Sequence, residues 1–441
     1  MSRNATSQAI ASVPRHAHQW TGARRPRFLP PDTTPDALVL LWARGVRGFG
    51  DGFVSVLLPL YLLTLGFTSF RVGVIATVTL LGSAALTLLV GFRSHHFSRR
   101  QLLFGATLLM AGTGLGFATA RQFWPLLIIA FIGTLNPSSG DVSVFLPLEQ
   151  SLLPHTVSDR QRTALFARYS LVGTLAAACG ALCAGLPALV VVHSGITLPA
   201  ALRGMFMLYS LLGLAAFVLY HRLSSQIEPA RQAVAAPLNE SKRTVYTLAA
   251  LFSLDSFGGG LVVQSLLALW LFARFHLPIA TAGTIFFWTG VLSAGSFLVA
   301  ARLAQRIGLI NTMVFTHLPS NLFLLLVPFM PTLPLAICLL LARSALSQMD
   351  VPTRSSYVMA VVTPAERPAA ASVTAVPRSL ASAVSPLLAG WLLGLSAFGW
   401  PLVIAGALKG VYDLLLLAMF THVRPPEEAD RQRRQARQHG R

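Results

Sequence analysis

The sequence predicts an all-α polytopic membrane protein with 12 transmembrane helices in two six-helix pseudo-symmetric bundles. Hydrophobic residues make up 54% of the 441 residues and charged residues only 11%, whereas about a quarter of the residues in a soluble protein are charged. Long apolar runs alternate with short polar breaks, and the two halves of the chain repeat each other. Helices are expected because the alternating polarity of a membrane β-barrel is absent.

A helix needs roughly 20 apolar residues to cross about 30 Å of hydrocarbon. Twelve runs of the chain satisfy this requirement. The predicted spans are residues 37–64, 70–91, 102–120, 123–152, 163–192, 200–220, 245–272, 279–301, 309–330, 333–361, 370–396 and 398–421. The fourth, fifth and tenth runs are overlong, which predicts tilt or extension beyond the hydrocarbon.

The chain has a formal net charge of +19, and its basic residues are distributed as the predicted topology requires. Of the 34 Lys and Arg residues, 23 fall in the two tails and alternate loops, 4 in the opposite loops and 7 within spans. The positive-inside rule then predicts a multi-pass protein of the cell membrane with both termini cytoplasmic. Because topology explains the charge, no nucleic-acid partner is expected. The three cysteines fall within apolar runs and are interpreted as packing residues.

The halves align at a nearly constant offset. The six residues beginning at Arg47 align with the six beginning at Asp255 at an offset of 208, and Gly73 aligns with Gly283 at 210. Two parallel repeats are typical of some secondary transporters. The predicted organisation is a disordered cytoplasmic tail (1–36), an N-terminal six-helix bundle (37–220), a cytoplasmic linker (221–244), a C-terminal six-helix bundle (245–421) and a basic cytoplasmic tail (422–441).

The loop after span 2 contains Gly91, Arg99 and Arg100, and the loop after span 8 contains Arg302 and Arg306. We interpret these residues as parts of cytoplasmic gate loops, because both loops resemble the Gly-x-Leu-Ala-Asp-Arg-x-Gly-Arg-Arg signature of the major facilitator superfamily. His95 and Gln305 occupy the acidic position of the signature, so the family's charge lock between spans is not expected. The resemblance implies a secondary transporter whose spans 1, 4, 7 and 10 line a central cavity.

Four aspartates fall near the middle of those four spans. They are Asp51, Asp141, Asp255 and Asp350. A charged side chain at the bilayer centre costs about 2.5 to 3.5 kcal/mol on insertion scales, so it normally faces the protein interior or a cavity. The acids are therefore candidates for substrate or proton contact, with a purely structural ion-pair network as the alternative.

Spacing suggests partners for two of these acids, because residues four apart share a helix face. Arg47 is expected to meet Asp51, and Arg354 is expected to meet Asp350. Asp141 and Asp255 lack such an arginine, and we expect one of them to bind a proton during transport.

Other polar residues of the spans carry weaker expectations. Asn136 belongs to a Gly- and Pro-containing phrase that ends at Asp141, and residues 347–352 form a similar phrase. Both phrases predict irregular helices that face a cavity, with an ordinary packing kink as the alternative. Glu149 is expected to serve in the cytoplasmic gate, paired with Arg168 or a loop arginine.

The positions of a Lys–Asp pair, of the histidines and of a run of glycines give three further expectations. Lys409 and Asp413, four apart in span 12, are expected to neutralise each other. The histidines are expected in tails, loops or span ends. The glycines at 258–260 predict either a hinge or a close helix crossing.

The function predicted is secondary active transport of a small organic solute by alternating access, coupled to protons, with export as one direction. The alternatives are a non-transporting receptor or scaffold on a transporter fold and an uncoupled facilitator. An enzyme is not expected, since the zinc-binding His-Glu-x-x-His pattern and a Ser-base pattern are missing, and no Gly-x-x-x-x-Gly-Lys loop indicates ATP use. The expected unit is a monomer in the lipid bilayer, with no cofactor and no metal.

Overall fold

The computed structural model describes residues 28–30, 32–93, 97–138, 143–158, 161–224, 227, 238–239, 241–363 and 366–420. These residues form helices and connecting turns, with no strand among them. The helices are α1 (Pro35–Thr64), α2 (Ser69–Arg93), α3 (Arg99–Thr119), α4 (Phe123–Ile132), α5 (Phe145–Leu152), α6 (Arg162–Cys183), α7 (Leu186–Ser194), α8 (Leu198–His221), α9 (Lys242–Leu261), α10 (Gln264–Phe275), α11 (Ile279–Ile307), α12 (Leu309–Leu326), α13 (Leu333–Ser347), α14 (Asp350–Val361), α15 (Arg367–Leu395) and α16 (Trp400–Phe420).

The helix ends follow local chemistry. Proline occupies the first turn of α1, where its missing N–H costs no hydrogen bond. Ser98 and Gln101 form a capping box at the start of α3, so each side chain accepts from the other residue's backbone. Gly195 ends α7 with φ of 67°, a left-handed conformation that suits a residue without Cβ.

The predicted membrane helices are confirmed, and four of them are broken. Ten helical segments are long and apolar enough to cross a membrane, and α4 and α13 are shorter apolar helices. Span 4 is divided into α4 and α5, span 5 into α6 and α7, span 7 into α9 and α10, and span 10 into α13 and α14. The expectation of irregular helices around residues 136–141 and 347–352 is therefore confirmed, although Asp141 itself lies outside the described residues.

Helix packing reproduces the sequence repeat. In the first half α1 packs on α6 and α8, α3 on α8, and α2 on α4. In the second half α9 packs on α15 and α16, α12 on α16, and α11 on α13. Spans 1, 5 and 6 thus correspond to spans 7, 11 and 12, as two parallel copies of one six-helix arrangement require.

The halves meet through a symmetric pair of contacts, α2 with α15 and α6 with α11. A Cβ on Gly73 of α2 would lie 2.8 Å from Cα of Gly390 in α15. A Cβ on the equivalent Gly283 of α11 would lie 2.5 Å from the carbonyl oxygen of Ala181 in α6. The aligned glycines therefore allow backbone-to-backbone approach at both crossings.

The glycines at 258–260 act as a close crossing, one of the two expectations. A Cβ on Gly260 would collide with the backbone of Ser382 and the side chain of Ser385 in α15. α9 and α15 consequently pack with almost no side chain between them. The predicted tails and linker lie largely outside the described residues, so their boundaries and their disorder stay predictions.

Candidate functional site

A cavity of about 400 Å³ lies between the two halves of the chain. Its walls come from α1 and α6 of the first half and from α9 to α16 of the second. The ionisable side chains that line it are Arg44, Asp255, His317, Arg343, Asp350, Arg354 and Lys409. Three predicted cavity residues are thus on the wall: Asp255, Asp350 and Arg354.

Asp255 is the centre of a charged cluster. One of its oxygens accepts a hydrogen bond of 2.6 Å from Lys409 Nζ, and the other accepts one of 2.7 Å from an Arg354 nitrogen. A Cβ on Gly258 would lie 3.0 Å from Cγ of Lys409, so the glycine leaves room for the lysine stem. The cluster ties α9 to α14 and α16.

Arg354 connects two carboxylates. The expected partner four residues away is confirmed, because Arg354 also pairs with Asp350. Its guanidinium carbon lies 5.0 Å from the centre of the Phe252 ring and 5.7 Å from that of Tyr412. Aromatic faces attract a guanidinium when water is excluded, so both rings help to hold this cation in place.

The expected pairing of Lys409 with Asp413 is wrong. Lys409 donates to Asp255, and Asp413 belongs to a separate polar cluster. Oδ1 of Asp413 lies 2.9 Å from Nδ1 of His317, and Oδ2 accepts a 2.8 Å hydrogen bond from Asn321. The side chain of Asp413 has no exposed surface, so these polar contacts replace the water that it loses on folding.

His317 also corrects the prediction that histidines occupy tails, loops or span ends. It lies inside α12, is only 4% exposed and lines the cavity. Its Nε2 lies 3.8 Å from Oδ1 of Asp255. Its Nδ1 faces both the Asp413 carboxylate and, at 3.0 Å, the amide nitrogen of Asn321.

Nδ1 of His317 lies between an acceptor and a donor. With a proton on Nδ1 the ring donates to Asp413, and without it the same nitrogen accepts from Asn321. The neighbouring acid at Nε2 is Asp255, which already contacts Lys409 and Arg354. The two ring nitrogens therefore lie against two different carboxylates, Asp413 and Asp255.

In the first half, Arg47 forms an ion pair with Glu149 of α5, and it also interacts electrostatically with the expected Asp51. Both side chains are buried, with Glu149 wholly inaccessible. Tyr220 donates to Glu149 at 2.6 Å and accepts from Arg47 at 3.1 Å, and Tyr169 also donates to Glu149. The guanidinium lies 4.1 Å from the centre of the Phe145 ring.

The expected partner of Glu149, Arg168 or a loop arginine, is therefore wrong, while its role in the cytoplasmic gate stays a prediction. The break in span 4 turns α5 so that this carboxylate points into the first bundle and bonds a residue of α1. Its buried charge is balanced by Arg47, in place of the predicted Arg168.

Asp51 and Asn136 lie together inside the first bundle. Asp51 accepts hydrogen bonds from Tyr209, at 3.4 Å, and from Asn136. Asn136 is 1% exposed and its Oδ1 accepts from the Ser138 hydroxyl at 2.6 Å. Neither Asp51 nor Asn136 lines the cavity, although Ser138 does.

The predicted gate arginines lie at helix ends. Arg99 Nε donates to Ser151 at 2.8 Å, which joins α3 to the end of α5, and Arg100 bonds the carbonyl of His221 at 3.3 Å. Arg302 and Arg306 are exposed near the end of α11, and Gly91 lies in the last turn of α2.

Burial, with Arg99 and Arg162 nearby, lowers the pKa of His155, so this histidine adds no charge to the region at neutral pH.

Asp141, one of the two acids expected to bind a proton, lies outside the described residues. The other, Asp255, was selected because its own helix offers no arginine. The structure removes that reason, since Arg354 and Lys409 reach it from two other helices. Sequence reasoning did not place His317, Arg343 or Lys409 in the cavity. A polar residue in an otherwise apolar span was the available signal for each.

Comparison with known proteins places this geometry in context. The sequence model described as Major Facilitator Superfamily matches residues 40–348 and 248–440. The uncharacterized membrane protein YJR124C of Saccharomyces cerevisiae is 25% identical over 420 residues, which cover 87% of this chain and 94% of the yeast protein.

Several solved transporter structures share the fold. The nucleoside transporter NupG superposes with a TM-score of 0.66 at 16% identity, covering 88% of this chain and 100% of that one. A bacterial homologue of the human lysosomal transporter Spinster, inward-facing and occupied, gives 0.67 at 14%, covering 87% and 95%. The human organic anion transporter MFSD10 gives 0.63 at 17%, covering 87% and 99%.

Proposed function

Because the chain belongs to the Major Facilitator Superfamily, we propose that it is a secondary active transporter that moves a small organic solute by alternating access and couples this movement to protons. The observation that supports this most directly is the charged cavity between two repeated halves. In transporters built from such repeats, access alternates largely through rigid-body rocking of one repeat against the other around a fixed site. Since one chain supplies every wall of the cavity, a monomer is the expected unit.

The proton is bound, in this proposal, by His317. Histidine is the side chain whose ordinary pKa permits a change of charge between pH 5 and 8. The groups that face it are Asn321 of its own helix, Asp413 and Tyr412 of α16, and Asp255 of α9. Protonation strengthens the attraction of His317 for Asp255, which Lys409 and Arg354 also contact. The proton can thereby alter how α9, α12, α14 and α16 are held together.

The test is flux in proteoliposomes with radiolabelled glucose, gluconate, glutamate and uridine, each assayed with and without an imposed pH gradient. We expect at least one probe to accumulate only when the gradient is present. Failure to move any probe faster than protein-free liposomes would contradict the transport proposal, and gradient-independent flux would contradict the proton coupling. Reversing the gradient determines whether the solute moves with the proton or against it, and so tests export.

For His317→Gln we expect downhill flux to persist while accumulation against a concentration gradient is lost. Glutamine keeps a polar group of similar reach but does not titrate in this range. His193→Gln is the matched control, because His193 is exposed at the end of α7, away from the cavity. Unchanged pH-driven accumulation in His317→Gln would show that the proton binds elsewhere.

The proposed membrane topology can be tested separately from transport. We propose that the protein lies in the cell membrane with both termini cytoplasmic, since Lys and Arg are concentrated in the tails and alternate loops. Reporter fusions after residue 441 and in the loop between α7 and α8 should give opposite sidedness. The same sidedness at both positions would contradict the proposed topology.

A further inference from the structure

The cavity carries more positive than negative charge. Among the described residues that line it, four side chains end in a basic group and two in a carboxyl group: Arg44, Arg343, Arg354 and Lys409 against Asp255 and Asp350. Any proton on His317 would add to the excess. An anionic solute would balance this charge, whereas a cationic solute would increase the imbalance.

Two of the four cations are already neutralised. Lys409 and Arg354 both contact Asp255, and Arg354 also contacts Asp350. These contacts use both carboxylates of the wall. Arg343 and Arg44 lie outside this cluster. Arg44 also interacts electrostatically with Asp51, so the charge that the wall leaves unbalanced is that of Arg343.

Arg343 has the clearest need of a partner. It projects from α13 into the cavity, and no carboxylate pairs with it among the residues that the structure describes. Its Nε is buried and lacks a hydrogen-bond acceptor. A guanidinium at membrane depth is costly unless it is paired, and its planar donors match a carboxylate or phosphate in two-point contact.

Arg44 brings a second cation to the cavity from the first half of the chain. Its guanidinium carbon lies 5.2 Å from the centre of the Tyr169 ring. A Cβ on Gly173 of α6 would lie 2.8 Å from that carbon, so glycine is what lets the arginine lie against the helix. Arg44 and Arg343 belong to different halves, and an anion bound between them would connect the halves electrostatically.

Hydroxyl groups surround these cations. Thr289 donates to the carbonyl of Phe286 at 2.9 Å, and Ser344 donates to that of Leu340 at 2.8 Å. Both hydroxyls line the cavity. With their protons committed to the helix backbone, they offer lone pairs to hydroxyl donors on a solute.

We propose, resting on the transport function above, that the substrate is a small hydroxylated organic anion whose acidic group binds Arg343, with Arg44 as the second cation of the site. Guanidinium groups orient the anion, and the serine and threonine hydroxyls contact its polar body. Because His317 lines the same cavity, the anion and the proton favour each other's binding. This linkage is reciprocal by thermodynamic necessity.

The experiment measures binding to the purified full chain by thermal shift and isothermal titration, with gluconate, glucuronate and glucose 6-phosphate as anionic probes. Glucose is the neutral probe and glucosamine the cationic one. We expect at least one anion to bind and to outcompete both comparison sugars. For Arg343→Gln we expect affinity for that anion to fall about 30-fold or more, because truncating one partner of a buried charge pair has effects of this size.

Arg343→Lys should recover part of the affinity, since it keeps the charge without the two-point geometry. Arg274→Gln is the control, as Arg274 is exposed at the end of α10. If Arg343→Gln does not fold, Arg343→Lys and Arg44→Gln carry the comparison. Failure of all three anions to bind, equal binding of glucose, or undiminished binding in the Arg343 variants would overturn the proposal.

Flux separates this inference from the proposed function. Anion binding without flux in proteoliposomes would leave the anion site intact and refute transport. Proton-driven uptake of a neutral probe with no anion binding would support transport and refute the anion site.

Discussion

Glu149→Gln is expected to destabilise the folded protein by about 3 to 5 kcal/mol, the range observed when one partner of a buried ion pair is removed. The substitution preserves shape but keeps only one acceptor oxygen, so either Tyr220 or Tyr169, which donate to different carboxylate oxygens, also loses its acceptor. It leaves Arg47, which is only 1% exposed, without its counter-charge in the interior of the first bundle. The measurement is the free energy of unfolding in mixed micelles titrated with sodium dodecyl sulfate.

Two companion variants make this result interpretable. Asp32→Asn alters an exposed acid at φ of 61°, a conformation that asparagine also tolerates, and should change stability by less than about 0.5 kcal/mol. The double variant Arg47→Met with Glu149→Leu should regain most of the loss, because apolar replacement of a buried pair is often neutral or stabilising. A Glu149→Gln protein as stable as Asp32→Asn would show that the pair contributes nothing to folding.

The Arg47–Glu149 pair also shows what sequence reasoning can and cannot reach. Spacing along one helix predicted the contact of Arg354 with Asp350, because residues four apart share a face regardless of the fold. For Arg47 the same rule gave Asp51, with which Arg47 does interact electrostatically. It missed the ion pair, which Glu149 forms from 102 residues away along the chain. Partners across helices depend on packing, and local spacing contains no information about it.

Breaks in the membrane helices were more predictable than contacts. Glycine and proline near Asn136 indicated the interruption of span 4, and the aligned phrase at 347–352 indicated that of span 10. The interruption of span 7 at Val262 and Val263 directly follows the glycines at 258–260, for which a hinge was one of two expectations. Its position is explained by tertiary structure, since the Ser265 backbone N–H, just beyond the break, donates to the carbonyl of Pro137 at 3.0 Å.

The charged cluster around Asp255 was predicted only in part, because its members again belong to different helices. Asp255 and Lys409 are 154 residues apart and belong to different helices. Lys409 has an acid four residues away in Asp413, which made the local pair the simpler expectation. The acid is instead satisfied by His317 and Asn321, and so the lysine is left for the cavity.

Gly73→Val should displace the protein from the conformation described here and reduce transport. The added side chain on α2 would meet Cα of Gly390 at 2.8 Å and the carbonyl oxygen of Pro386 at 2.7 Å, both of them backbone atoms of α15. Backbone cannot rotate away as a flexible side chain can, so the halves must separate at this end. Overpacking of this kind costs about 1 to 3 kcal/mol, which changes a conformational ratio by about 5- to 150-fold.

The population shift can be measured directly by double electron–electron resonance. Spin labels at Arg71 and Leu395, both exposed near this crossing, would be placed in a background without the three native cysteines. Gly73→Val should lengthen the distance between them, and Gly283→Val should open the symmetric contact with Ala181. Gly105→Val is the matched control, because a Cβ there meets nothing within 4 Å. Alternating access requires the halves to separate where they now touch. If the label distances in Gly73→Val match those in Gly105→Val, the contact between Gly73 and Gly390 is not the one that holds this end closed.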